Sequence, residues 1–131
     1  MSRGANIIEI RLEQIQQVRA IASKYKNFEC VECTIAIKDY LISQKLNGKQ
    51  IKLYTGSGIG RDSYIYDDSV PSDAISINGR HQAISIYNNE VEIIFDNHHP
   101  DGIPKTQWMA NLQFHGKIYY GREFQITEEY F

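Results

Sequence analysis

The chain has little cysteine and almost no net charge, and it lacks a long hydrophobic run. Two cysteines exclude a disulfide framework, which uses several bridges to replace a large core. The formal charge is -2, with 14 basic and 16 acidic residues mixed along the chain, so neither nucleic acid nor an anionic membrane is an expected partner. No apolar run approaches the roughly 20 residues of a membrane span, and the N-terminus lacks the apolar stretch of a signal peptide. We therefore expect a soluble protein that is made in the cytoplasm.

The chain does contain enough apolar residues for one hydrophobic core. Hydrophobic residues make up 42% of its 131 residues, which is typical of a globular domain. We expect a single domain over residues 1–131, with an N-terminal helix in residues 1–26 and the main core in residues 27–131. Helical spacing comes first and alternating segments follow. This order predicts an α+β fold in which N-terminal helices pack on an antiparallel sheet.

The individual helices and strands follow from residue spacing. Residues 7–24 predict an amphipathic helix, and a second helix starts after Asn27 as its N-cap and stops near Asn47 and Gly48. Residues 56–73 are rich in glycine, serine and aspartate and predict a long loop around a short strand. Strands are predicted at residues 50–54, 74–77, 81–87, 90–96 and 117–127, the last with a break near Gly121.

Residues 81–97 predict a β-hairpin, because two alternating runs flank Asn88 and Asn89, which tolerate a positive φ. A tight two-residue turn there sets His81 opposite Asp96, with their Cβ atoms about 4.5 to 5.5 Å apart. One face of the hairpin is mostly apolar and belongs to the core; it carries Gln82, Ile84 and Ile86 opposite Phe95, Ile93 and Val91. The face that carries His81 and Asp96 is apolar only at the end away from the turn, where a helix can cover it.

Cys30 and Cys33 lie three residues apart at the start of the second predicted helix. Free amides and the helix dipole at such an end stabilise a thiolate, and a nearby histidine can accept the thiol proton. Cys30, His81 and Asp96 would then be nucleophile, base and orienting group. The plainer interpretation is a non-catalytic binding module, in which both cysteines fill the helix face and His81 and Asp96 form an ordinary cross-strand pair.

The sequence also resembles the papain-like and transglutaminase-like superfamily, and most closely the papain fold toxin 2 domains at the C-termini of bacterial polymorphic toxins. The resemblance spans residues 27–112, and within it the block FDNHHPDGIP is the specific part. It rests on three segments: NFECVECTIAIKDYL, NGRHQAISI and IIFDNHHPDGIPKTQWMANL.

This resemblance implies a papain-like core and a cysteine-dependent hydrolase or acyltransferase that acts on protein amide bonds, as a peptidase or a glutamine deamidase. It implies a catalytic core in residues 27–131 that uses Cys30, His81 and Asp96, without a cofactor or a metal. The implied partners are a protein substrate in a target cell and an immunity protein. The domain would reach that cell as part of a secreted effector.

The identity of the nucleophile depends on the template. Papain-type peptidases carry it as the second cysteine of a CxxC, which selects Cys33. Transglutaminase-like members select Cys30, and then Cys33 and Thr34 occupy the aromatic and small positions that follow. We favour Cys30, because it is closer to the unpaired amides of the helix, and keep Cys33 as the alternative. For the orienting group, Asn97 is a weaker candidate than Asp96, because strand alternation points it away.

Metal chemistry offers two rival interpretations. A zinc-binding domain would use the CxxC with two of the four histidines, although no second CxxC or HxxxH completes the usual ligand set. A nuclease would use residues 96–100 to hold a metal, but the balanced charge of the chain disfavours it. The four histidines are His81, His98, His99 and His115.

Three further features are expected to have structural roles. The GSGIG motif at residues 56–60 lacks the spacing of a nucleotide-binding loop, so we expect a flexible loop there. His98 is expected in a loop or a substrate cleft, and Trp108 is expected in the core.

Overall fold

The computed structural model describes residues 9–71 and 73–131 of the chain. In these residues the elements are α1 (Leu12–Ala22), α2 (Cys30–Ser43), β1 (Lys49–Tyr54), β2 (Tyr66–Asp67), β3 (Arg80–Asn88), β4 (Val91–Asp96), β5 (His99–Pro104), α3 (Lys105–Asn111), β6 (Leu112–Gln113), α4 (His115–Tyr120) and β7 (Gln125–Tyr130). Five strands form one antiparallel sheet in the order β5-β4-β3-β1-β7, and β2 pairs with β6 separately. The predicted α+β fold is confirmed. None of the described helices is long and apolar enough to span a lipid bilayer.

The five-stranded sheet separates two apolar cores. The helices α1 and α2 pack on one face, where the buried side chains are Val18, Ala22, Cys33, Ile37, Leu41, Leu46, Ile84, Ile86 and Phe95. The second core lies on the other face, and its buried side chains include Ile51, Leu53, Ala83, Ile94, Ile103, Trp108, Leu112 and Phe114. Successive strand residues point to opposite faces, so neighbours such as Ala83 and Ile84 enter different cores. Trp108 of α3 packs in this core with Ala83 and Ile94, which lie on the same face of the hairpin as His81. The prediction that a helix covers this face is therefore confirmed.

The N-terminal helix is shorter than predicted. It starts at Leu12, because Arg11 is extended, with φ -90 and ψ 160, and therefore occupies the N-cap position. The backbone N–H of Arg11 donates to Oε1 of Gln14 at 2.9 Å, which satisfies an amide at this helix end. Residues 7 and 8 of the predicted helix lie outside the described residues.

The second helix starts close to the predicted position but ends earlier. Glu29, and not Asn27, occupies its N-cap position. The predicted stop at residues 47 and 48 is wrong, because Lys45 already adopts the left-handed conformation, with φ 58. The N–H of Leu46 then donates to the carbonyl of Leu41 at 2.9 Å, and both side chains enter the same core. This Schellman arrangement ends the helix without a glycine.

Two other strand predictions need correction. Residues 74–77 contribute only an isolated bridge between Ile65 and Ser76. Residues 117–127 do not form one strand. Their first part belongs to α4, the predicted break near Gly121 is confirmed, and only residues 125–127 lie in a strand, as the start of β7. Gly121 has φ 65 and is the left-handed residue that ends α4. The aliphatic and aromatic side chains of α4 that suggested a strand are exposed and show no alternation in burial: Ile118, Tyr119 and Tyr120.

The β3–β4 hairpin is confirmed, but its register differs from the predicted one by two residues. Asn88 pairs with Val91, so the turn residues are Asn89 and Glu90, with φ 53 and φ 66. Two consecutive positive φ values are the signature of a type I′ turn, whose twist matches that of the strands. Because the shift is even, every side chain stays on its predicted face.

Replacing Glu90 by glycine is expected to raise the free energy of unfolding by about 0.5 to 1 kcal/mol, because a left-handed conformation is strained for glutamate and free for glycine. Denaturant titration followed by fluorescence measures the change. Asn89→Gly is the matched control and should gain less, because asparagine tolerates this conformation. An equal gain in both variants would contradict the assignment of strain to Glu90.

Candidate active site

The N-terminus of α2 lies against the sheet near the start of β3. Cys30 is the first residue of α2 and His81 is the second residue of β3, and these two elements pack together. Asp96 ends the adjacent strand β4. The side chains of His81 and Asp96 are fully buried, whereas Cys30 retains 8% of its exposure. The fold therefore brings the three predicted residues to one end of the sheet.

Asp96 is the most strongly bound side chain of this cluster. Its Oδ2 lies 2.9 Å from Nε2 of His81, and it also accepts a hydrogen bond from Nε1 of Trp108 at 2.9 Å. Its Oδ1 accepts from the backbone amides of His98 at 2.9 Å and His99 at 2.8 Å. The carboxylate thus receives four donors and has a fixed orientation.

The contact between His81 and Asp96 is diagonal and not directly cross-strand. The ladder pairs Ile84 with Phe95, and its continuation sets His81 opposite residue 98. Asp96 is therefore the diagonal neighbour of His81 on the same face, within reach of a long side chain. The predicted proximity is found, although the predicted direct pairing is wrong.

Burial and pairing act in opposite directions on these two groups. Desolvation alone would raise the pKa of Asp96, but the hydrogen bond and charge of His81 outweigh it and lower this pKa to about 2. Desolvation alone would lower the pKa of His81, but the interactions with the Asp96 carboxylate and the Cys30 thiol outweigh it and raise this pKa to about 10. The pair is therefore an imidazolium and a carboxylate at neutral pH.

The second ring nitrogen of His81 is available to Cys30. Within the described residues, Nδ1 is buried and has no hydrogen bond of standard geometry. Burial would raise the pKa of the Cys30 thiol, but interaction with His81 and with the backbone of Gln82 outweighs burial and lowers it. Contacts of this kind are often poorly aligned before substrate binds and tighten afterwards. Cys30 is therefore the more acidic of the two thiols.

Cys33 has a different environment, one turn deeper in α2. It is fully buried among the apolar side chains between α2 and the sheet. Desolvation, followed by the negative charges of Asp96 and Cys30, raises the pKa of Cys33 to about 12. No hydrogen bond joins it to His81 among the described residues. Its thiol therefore stays protonated at neutral pH.

The residues after Asp96 hold the loop that precedes Cys30. Nδ2 of Asn97 donates to the carbonyl of Lys26 at 2.7 Å, and Nε2 of His98 lies 2.9 Å from Oδ1 of Asn27. The next residue, Phe28, has φ 71, which is strained for an aromatic side chain. Asn97 therefore supports the segment before the nucleophile, and no hydrogen bond joins it to His81 among the described residues.

A second histidine–aspartate pair adjoins the first. Nε2 of His99 lies 2.7 Å from Oδ2 of Asp67, and Ser69 donates to Oδ1 of the same carboxylate. Burial opposes both shifts, yet pairing raises the pKa of His99 and lowers the pKa of Asp67. This pair fixes β5 against β2.

Sequence reasoning missed the roles of Asp67 and Trp108. The prediction that Trp108 is a core residue is confirmed, since it is fully buried. Its hydrogen bond to Asp96 was foreseeable in kind, because a buried indole N–H needs an acceptor. The identity of the acceptor could not be predicted, because it depends on how α3 packs against the sheet. No local signal in the sequence distinguishes Asp67 from the aspartates near it.

The structure does not support the zinc interpretation. In residues 9–71 and 73–131, no three histidine, cysteine or acidic side chains are arranged to hold a metal ion. The histidines have separate partners. His98 contacts Asn27, His99 contacts Asp67, and His115 lies on the Tyr119 ring, with centroids 4.6 Å apart.

Comparison with known proteins identifies one family. The family model described as papain fold toxin 2 matches residues 13–113, well over half of the chain. The matched part contains Cys30, His81, Asp96 and Trp108, and it ends at the last residue of β6. No curated protein and no solved structure matches the chain.

Proposed function

The chain belongs to the papain fold toxin 2 family, and we propose that it is a cysteine-dependent hydrolase or acyltransferase that acts on amide bonds of proteins. In this proposal the substrate is a protein of a target cell, which a secreted effector reaches, and an immunity protein restrains the domain in the producing cell. The reaction is peptide hydrolysis or glutamine deamidation.

The relay from Cys30 through His81 to Asp96 carries this proposal. A thiol with a lowered pKa lies beside one nitrogen of a buried imidazole, and a carboxylate with four donors orients the other nitrogen. This order supplies a nucleophile, a base and an orienting group.

In the proposed mechanism, the Cys30 thiolate attacks the amide carbonyl and forms a carbon–sulfur bond. The His81 imidazolium protonates the departing nitrogen, so that ammonia or a peptide amine leaves and a thioester remains. His81, now neutral, takes a proton from water as the water oxygen attacks the thioester. The carboxylic acid product leaves, and Cys30 and His81 recover the thiolate and the imidazolium. Asp96 stays ionised throughout and holds the imidazole ring.

The backbone amide of Cys30 is the donor that we assign to the carbonyl oxygen during attack. As the first residue of α2, Cys30 has an N–H outside the intrahelical ladder, and this N–H has no acceptor among the described residues. Such an amide stabilises the charge that develops on the oxygen, together with the positive end of the helix dipole.

Expression of the chain in the bacterial cytoplasm is expected to arrest growth, and Cys30→Ala is expected to abolish the arrest, because no thioester can form. Cys33→Ala is the matched control and should remain toxic. Mass spectrometry of the arrested cells identifies the reaction. New protein N-termini indicate a peptidase, and gains of about one dalton at glutamine indicate a deamidase. Equal toxicity of wild type and Cys30→Ala, or a harmless wild type with an unmodified proteome, would overturn the proposal.

A further inference from the structure

The first turn of α2 carries a second thiol that the proposed mechanism does not use. Cys30 and Cys33 are both free thiols. They lie at positions i and i+3, which are neighbours on a helix surface. The charge of one affects the other, since Cys30 contributes to the raised pKa of Cys33. The two side chains are therefore neighbours on the surface of α2.

The two thiols differ in the way that thiol–disulfide exchange requires. Cys30 retains 8% exposure at the helix end, and Cys33 is fully buried behind it. A reagent from solvent can therefore reach Cys30 first, and only an intramolecular reaction can reach Cys33. Their pKa values agree with these roles. The lowered pKa of Cys30 favours the thiolate that attacks a disulfide, and the raised pKa of Cys33 keeps its thiol protonated until that first step has taken place.

We propose that Cys33 is a resolving thiol, and that Cys30 and Cys33 form a reversible disulfide with a low-molecular-weight disulfide as the oxidant. The disulfide blocks the sulfur that attacks the substrate. The switching of activity rests on the function proposed above, whereas formation of the disulfide does not.

The exchange takes place in two steps and conserves atoms and electrons. The Cys30 thiolate attacks one sulfur of oxidised glutathione, the glutathione S–S bond breaks, and one glutathione thiolate leaves. The proton of Cys33 passes through water to this thiolate, and the Cys33 sulfur attacks the Cys30 sulfur and displaces the second glutathione as a thiolate. Two electrons pass from the cysteine pair to the oxidant, which is reduced to two glutathione molecules.

The helix end can accommodate the bond. Residues i and i+3 on a helix have Cβ atoms about 5 to 6 Å apart, and a disulfide needs about 3.5 to 4.5 Å. The first turn must therefore contract by about 1 to 2 Å. Among the described residues no side chain caps this helix end, and the N–H of Cys30 is outside the ladder. The main bond that must adjust is the one from the Cys33 amide to the Glu29 carbonyl, at 3.0 Å.

This chemistry would match a protein that moves between compartments. Oxidising conditions outside cells favour the disulfide, and the reducing cytoplasm of a target cell restores both thiols. The nucleophile would then be blocked outside cells and free after entry.

Intact mass of the reduced full chain after incubation with oxidised glutathione tests the proposal. We expect a loss of two hydrogens, complete loss of labelling by iodoacetamide, and recovery of both by dithiothreitol. Cys33→Ala should instead retain one bound glutathione, because the mixed disulfide has no resolving thiol. Cys30→Ala should retain none. A wild type that retains one glutathione, or keeps both thiols free, would overturn the proposal.

The failure of this inference differs from the failure of the proposed function. If the disulfide forms but expression of the chain is harmless, the function is wrong and the resolving thiol stands. If expression is toxic and glutathione remains bound to the wild type, the function stands and the resolving role of Cys33 is wrong. The wild-type mass decides the second question even where a variant does not fold.

Discussion

Replacing His81 by alanine is expected to slow alkylation of Cys30 by iodoacetamide about ten- to thirtyfold at neutral pH, since an ordinary thiol of pKa about 8.5 is only a few per cent thiolate there. In the wild type, His81 is the main group that opposes burial and lowers the pKa of Cys30. Without the imidazole, only the backbone of Gln82 opposes burial, so this pKa rises. Intact mass at timed intervals gives the rate, and peptide mapping assigns it to Cys30.

The pH dependence of this reaction should also change. The pKa of Cys30 lies below that of an ordinary thiol, and the pKa of His81 is about 10. The wild-type rate is therefore expected to rise with pH through the lowered pKa of the thiol and then to level off. In His81→Ala the rise should move to alkaline pH.

Two observations control the experiment. His115→Ala alters a histidine on α4, outside the cluster, and should leave the alkylation rate unchanged. Cys33 should label slowly in every variant, since it is buried with a pKa of about 12. Equal rates for wild type and His81→Ala across the pH range would mean that the imidazole does not activate Cys30.

The proximity of His81 and Asp96 was predictable from sequence because it depends on strand parity. The turn formed one position further along than predicted, and the register moved by two residues. A register shift by an odd number of residues would have placed His81 and Asp96 on opposite faces of the sheet, whereas a shift by an even number leaves both on the same face. Alternation in the two strands therefore constrained the site more strongly than the turn did.

The helix end at Cys30 was predictable for a similar reason, because helical spacing identifies the buried face of α2. The other end was not. It depends on Leu46 reaching back to Leu41, a tertiary contact that draws Lys45 into a left-handed conformation without a glycine. The local sequence identifies the end of a helix only where the left-handed residue is one that favours this conformation, such as glycine or asparagine.

The supporting groups were beyond prediction because they come from distant segments. Trp108 reaches Asp96 through the packing of α3, and Asp67 reaches His99 from β2. Several side chains of the FDNHHPDGIP block, which carries the resemblance to the family, have structural roles in this region. Asp96 orients His81, and Asn97 and His98 hold the loop before Cys30.

The largest stability loss is expected from Asp96→Ala, which should lower the free energy of unfolding by about 3 to 5 kcal/mol, because it leaves a buried partner charge without its counter-ion. Four donors lose their acceptor: Nε2 of His81, Nε1 of Trp108 and two backbone amides. A loss of this size is a large fraction of the stability of a small domain. Denaturant unfolding of the two proteins at neutral pH measures it.

Asp96→Asn separates the structural role of this side chain from its role toward His81. The amide fills the same volume and keeps one acceptor oxygen, so we expect a smaller stability loss than in Asp96→Ala. Its alkylation rate at Cys30 should nevertheless fall nearly as far as in His81→Ala, because an uncharged partner no longer holds the imidazolium. Wild-type alkylation in Asp96→Asn would contradict the orienting role.

The pH dependence of stability gives an independent check on the same pair. The pKa of Asp96 falls from 3.8 to about 2 on folding, so its contribution is present above 3.8 and is lost as the pH falls through 2. The pKa of His81 rises from 6.5 to about 10, so its contribution is present below 6.5 and is lost as the pH rises through 10. Both losses describe one shared interaction. Asp96→Asn should therefore remove most of the decline in unfolding free energy between pH 6.5 and about 10, whereas Trp108→Phe, which keeps the ion pair, should retain that decline.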